Sequence, residues 1–241
     1  MKNLKFLTIS VFAILCGTMV SAQTAEEIIA NYINALGGKD QMTQISSVYT
    51  EGTLDAMGST GAIKTTLLNG KGYKQEIEVM GTQVIMCYTD SMGWQINPMS
   101  GNYGAEVMPD NQFLSGKDNI YAGGPFATDY ATKGYKIDLA GQENVVGVNA
   151  WKVNVVSPDN TESVYYFDPD TWYLVKMVQK AEMMGTPMDI SIVLSNYQKP
   201  ENGYAMPFTL ETDYGGQFFL TAKISKVEIN QPVDPVVFAK P

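Results

Sequence analysis

The chain has 241 residues, no histidine, 16 basic residues against 25 acidic ones and a formal net charge of −9. Every basic residue is a lysine, because the sequence holds no arginine. Imidazole-based nucleophilic catalysis, the usual zinc and non-haem iron ligand sets and bidentate guanidinium binding of phosphate are thereby excluded, and so acidic a surface repels nucleic acid and anionic lipid.

Residues 1–22 read as an export signal, with Lys2 and Lys5, an apolar run from Phe6 to Leu15, and small residues at Ser21-Ala22. Cleavage is expected before Gln23, which places residues 23–241 in the periplasm as one domain. The apolar run is too short to cross a bilayer and no later window approaches that length, so no transmembrane segment is expected in the mature chain. Cys16 follows bulky Ile14-Leu15 and reads as part of the signal. Cys87 is then the lone cysteine, a small buried hydrophobe with no disulfide partner.

Thr24 and Glu27 have the capping-box spacing and open a helix that carries Ala25, Ile28, Ile29, Tyr32, Ile33 and Leu36 on one face. Gly37-Gly38 ends it, and a short helical turn is expected over Asp40 to Ile45. From Ser46 the period changes to two, as in Tyr73, Gln75, Ile77, Val79 and in Met206, Phe208, Leu210, Thr212. Turn signals at Asn69-Gly70, Met80-Gly81, Asp90 to Gly93, Gly147, Pro158 to Asn160, Asp168 to Asp170, Gly185, Glu201 to Gly203 and Gly215-Gly216 divide roughly ten or eleven antiparallel strands, connected mainly as a meander.

Residues 109–133 break the alternation while keeping Phe113, Leu114, Ile120, Tyr121 and Phe126, which predicts short helices or an ordered, functional insertion. In "IMCYTDSMGWQINP" a strand with Val84, Met86 and Tyr88 on one side leads into a turn. Asp90 is expected as the turn's acceptor and Gly93 as a positive-φ position; Trp94 and Ile96 begin the next strand, which Pro98 stops.

The helix "TAEEIIANYINALGG", the hairpin "YTDSMGWQINP", the run "YYFDPDTWYLVKMVQK" with "SIVLSNYQ" after it, and the ending "PVDPVVFAKP" together resemble the outer-membrane lipoprotein-sorting proteins related to the periplasmic lipoprotein carrier. The resemblance runs from Thr24 to Pro241. It implies a mainly β chain, an incomplete antiparallel β-barrel whose open side is covered by the N-terminal helix and the helical insertion, and an apolar cavity for acyl chains. The best-known carrier latches its lid with an arginine. This chain has none, and Lys64 or Lys74 could stand in without the sequence selecting either.

The expected function is therefore non-catalytic carriage of lipid or lipoprotein acyl chains, with envelope proteins as further partners and no cofactor or metal. An envelope sensor or scaffold on the same fold is the first alternative and a carboxylate-dependent hydrolase the second. Asp168 and Asp170 flank Pro169 without the further oxygen ligands of a calcium loop and read as a solvated turn. Methionine is abundant, with 14 residues, and suits either an adaptable apolar wall or an irregular core. Trp151 and Trp172 read as core. Strand phase assigns the cavity wall to Ile77, Val79, Val84, Met86, Trp94, Ile96, Met177, Ile190, Ile192, Phe208 and Leu210, and the cover to Ile29, Ile33, Phe113 and Phe126.

Overall fold

A computed structural model describes residues 23–183 and 186–241. The expected signal segment, its cleavage point and the Gly185 turn lie outside the described residues. No described helix is long and apolar enough to cross a membrane.

Helix α1 (Ala25–Leu36) starts as its sequence requires. The Thr24 hydroxyl accepts from the Glu27 N–H at 3.2 Å, and the Thr24 N–H donates to Glu27 Oε2 at 3.0 Å. These bonds satisfy donors that a helix start leaves orphaned. At the other end Gly37 takes φ 133, which a side chain would resist, and α2 (Lys39–Gln44) follows.

Among the described residues, thirteen strands then form a single antiparallel sheet. The first group is β1 (Ser47–Ala56), β2 (Ser59–Leu68), β3 (Gly72–Val79), β4 (Thr82–Thr89), β5 (Gly93–Asn97) and β6 (Asn102–Val107). The second is β7 (Lys136–Val145), β8 (Val148–Val156), β9 (Glu162–Phe167), β10 (Leu174–Met183), β11 (Thr186–Gln198), β12 (Met206–Tyr214) and β13 (Phe219–Ile229). Each group is a meander, and pairing of β1 with β13 joins them, so the sheet runs from β6 at one edge to β7 at the other without closing. The count exceeds the expected ten or eleven because two hairpin turns, Met57-Gly58 between β1 and β2 and Pro98–Gly101 between β5 and β6, are not among the turn signals read from the sequence; Met57 takes φ 50, which its residue type does not announce. In β9, Ser163, Tyr165, Tyr166 and Phe167 are buried on both faces, so that strand lacks a period-two pattern.

Residues between β6 and β7 must travel from one sheet edge to the other. They do so as helix α3 (Asp110–Gly116) and two short 3-10 turns, Lys117–Ile120 and Pro125–Ala127, and α3 touches β10 on the far side. This strap is fastened at several points. The Gly70 N–H donates to the Ile120 carbonyl at 2.7 Å, the Ala122 N–H donates to Asn69 Oδ1 at 3.0 Å, Lys117 pairs with Asp159, and the Tyr135 hydroxyl donates to Asp118.

Helix α1 and the strap lie on the same face of the sheet. There Ile28, Ile29, Tyr32, Ile33 and Leu36 pack with Val48, Val153, Tyr165, Phe167 and Phe126. Phe126 is the hub of this core, edge-on to Tyr165 at 4.9 Å and to Tyr32 at 6.4 Å. The opposite face is covered at one edge by the C-terminal 3-10 turn Pro235–Phe238, whose Phe238 packs with Ile85, Cys87 and Trp94.

Candidate binding site

Strand register fixes which side chains share the helix-bearing face. Val48 lies on it, and the cross-strand pairs carry the face outward: Leu54 and Ile63 beside it, Ile63 opposite Ile77, Ile77 opposite Val84, and Gln75 opposite Met86. On the other flank Leu54 opposes Ala222, Ala222 opposes Leu210, Leu210 opposes Leu194, and Ile192 opposes Met177. By period two Val79 and Ile190 complete the same face. The expected wall residues Ile77, Val79, Val84, Met86, Met177, Ile190, Ile192 and Leu210 are thus brought together, whereas Phe208 stands where alternation breaks, beside Pro207, which lines the cavity with Tyr197.

Trp94 and Ile96 do not join that face. Cys87 pairs with Trp94 and Ile85 with Ile96, so both point to the opposite face, beneath Phe238. The hairpin differs from expectation in two further details. Its turn is capped by Thr89, whose hydroxyl accepts from Met92 N at 3.1 Å, and not by Asp90. Gly93 has no positive φ; it is required by close approach, because a Cβ there would sit 2.7 Å from Met108 Sδ and 3.2 Å from Phe113 Cδ2. Lys64 and Lys74 also point away from the strap, Lys64 opposite Glu51 and Lys74 ion-paired with Glu76 at 3.2 Å.

On the helix-bearing face Val79 is buried, whereas Ile77, Val84, Met86, Met177, Ile190, Ile192 and Leu210 are only half-buried. Together they leave an apolar surface partly open to water. The surface leads beneath the strap into a cavity of about 240 Å³. Tyr32 and Leu36 of α1, Leu114, Ser115, Asp118, Asn119 and Gly123 to Phe126 of the strap, and β8 to β12 side chains including Val155, Ser163, Tyr165, Met177, Gln179, Leu194, Tyr197 and Met206 line it.

Of the residues assigned to the cover, Phe126 lines this cavity and also a cleft of about 420 Å³ on the outer side of α1, where Ile29 and Ile33 join it. Phe113 packs beside Tyr88, Met108 and Ile120 over the β4 end of the face. Sequence reasoning missed the tyrosines that shape the cavity. Burial raises Tyr165 and lifts Tyr204 to about 12, so both phenols stay neutral and serve as apolar rings with a hydroxyl at one end. Burial likewise pushes the Cys87 thiol up to about 12, which makes it inert as a nucleophile. Asp168 closes a local turn, accepting from the Asp170 N–H at 2.8 Å and the Thr171 hydroxyl at 2.9 Å.

Solved structures share this architecture. An outer membrane lipoprotein-sorting protein domain from Vibrio parahaemolyticus matches with TM-score 0.59 and 13% identity, over 89% of this chain and 95% of that one. A LolA superfamily protein from Nitrosomonas europaea matches with TM-score 0.58 and 10% identity, over 91% and 99%. A DUF1329 family protein from Desulfovibrio piger matches with TM-score 0.57 and 15% identity, over 88% and 97%. No protein-family model matches the chain, and no curated protein matches its sequence. The fold is that of the LolA-like open β-barrels.

Proposed function

We propose that this protein is a periplasmic carrier that shelters the acyl chain of a lipid or lipoprotein from water, without catalysis. The observation that carries the proposal is the half-buried apolar face from Ile77 and Val84 across to Leu210, Ile192 and Met177, continuous with the cavity beneath the strap. Burial of each methylene of a saturated chain contributes about 0.8 kcal/mol, so an apolar track binds usefully without a charged clamp.

The cavity of about 240 Å³ is smaller than the roughly 300–1,000 Å³ of typical ligand sites. A long chain therefore has to lie partly along the half-open face, or the strap and α1 have to move apart as it enters. The shared fold of lipoprotein-sorting proteins supports the same reading. Beneath the strap, Asp118 is the one carboxylate among the described cavity-lining residues, so that cavity offers a paired-carboxylate hydrolase no pair.

The test is displacement of an environment-sensitive apolar fluorophore from residues 23–241 by glycerol monododecanoate. Saturable displacement, lost when Met177 is replaced by Asp, is expected. A fluorophore that never binds, in a chain that is folded, would rule the carrier out.

A further inference from the structure

The cavity has a polar end and an apolar end. Leu174, whose carbonyl accepts from the Tyr197 hydroxyl at 2.9 Å, and Gln179 both line it from β10 and are five residues apart, roughly 16 Å at about 3.3 Å per residue. Gln179 opposes Ser163 of β9, and the β8–β9 turn just beyond holds Asp159. Lys117 and Asp118 of the strap are fastened at this end, to Asp159 and Tyr135.

The charges at that end are unequal in their availability. Asp159 accepts from the Ser157 hydroxyl at 2.5 Å, from the Thr161 N–H at 3.2 Å and from the Thr161 hydroxyl at 2.7 Å as well as from Lys117, so the lysine's charge is already matched. Among the described residues, only the neutral Tyr135 hydroxyl reaches the Asp118 carboxylate. Among the described residues that line the cavity it alone carries a full charge, and no lysine joins it.

We infer that the bound amphiphile presents to Asp118 a head that donates hydrogen bonds and bears no negative charge, an amine by preference. This rests on the carrier reading and specifies its ligand. An anionic head would lie beside an unmatched carboxylate in a partly water-excluded site, where like charges repel most strongly. An ammonium or a neutral hydroxyl head instead uses the free acceptor positions on Asp118 while its chain runs toward Leu174, Leu194 and Tyr197.

Affinities of residues 23–241 for dodecylamine, glycerol monododecanoate and dodecanoate, measured at about pH 8 where the last is ionised, test this. The amine should bind at least tenfold more tightly than dodecanoate, about 1.4 kcal/mol, with the neutral ester between them. Asp118→Asn should close most of that gap, which attraction of amines to the acidic surface in general would not do. Dodecanoate binding within about threefold of the amine in the unsubstituted chain would overturn the inference whatever the variant does, as would a gap that survives Asp118→Asn. Absence of binding by all three would overturn the carrier reading together with it.

Discussion

The indole N–H of Trp94 donates a 2.8 Å hydrogen bond to the carbonyl oxygen of Phe238, tying β5 to the last residues of the chain. Trp94 is 2% exposed and Phe238 4%, so the bond is shielded from water and both partners depend on it. Trp94→Phe keeps most of the apolar contact but leaves the carbonyl with only the weak Cys87 thiol at 3.5 Å. A loss of about 1–2 kcal/mol in urea unfolding is expected, with acyl binding unchanged because Trp94 is on the face away from the cavity.

Gly72 tests the same seam from the other side. A Cβ at that position would meet Phe238 Cγ at 2.5 Å, closer than carbon atoms approach. Gly72→Ala should destabilise by about 1–3 kcal/mol and expose the Pro235–Phe238 turn to proteases. Limited proteolysis followed by mass measurement checks it, and a C-terminus as resistant as before would show that Phe238 yields freely.

The strap carries a pH signature. Burial alone would raise Asp159, but hydrogen bonds from Lys117, Ser157 and Thr161 outweigh it and bring the carboxyl from 3.8 to about 2. A depressed carboxyl stabilises the fold above its unfolded value, and that contribution is lost as pH falls from about 4 through about 2. With the Asp159 side chain 13% and the Lys117 side chain 27% exposed, the contribution is at most about 2 kcal/mol. Lys117→Ala should therefore lower stability at neutral pH, by a margin that shrinks on acidification across that window. Urea unfolding at a series of pH values checks the sign; a margin that grows toward low pH would contradict it.

The open face predicts a separation of stability from binding. Val84 is only half-buried and lies opposite Ile77, so Val84→Asn should cost little stability while weakening uptake of a long-chain ester several-fold by placing an amide on the acyl track. Parallel thermal unfolding and fluorophore displacement distinguish the two effects. Unchanged displacement would confine the ligand to the cavity beneath the strap.

Local signals in the sequence carried much of this architecture. The Thr24 and Glu27 pair and Gly37 bounded α1 because caps are chemistry between near neighbours. Strand phase gathered the residues from Ile77 to Leu210 onto one face because alternation holds within a strand. It failed at Trp94 and Ile96, where phase was carried across a hairpin: pairing of Cys87 with Trp94, not residue parity, sets the face of β5. Tyr197 was hidden for a related reason. Asn196 adopts φ 54, which breaks the alternation of β11 while its register against β12 is kept, and Tyr197 joins Leu194 in lining the cavity. The unpaired carboxylate of Asp118 had no local signature at all, since it depends on Asp159 being near Lys117 across 42 positions of chain.

Native mass spectrometry of residues 23–241 purified from a periplasmic fraction without detergent, followed by organic extraction, reads the cargo itself. A carrier gives a mass above that of the protein alone, an acyl species in the extract, and loss of both when Met177 is replaced by Asp. A folded chain at its bare mass that takes up no added amine, ester or lipopeptide would contradict the carrier reading, and would leave the apolar face beside the strap to a protein partner.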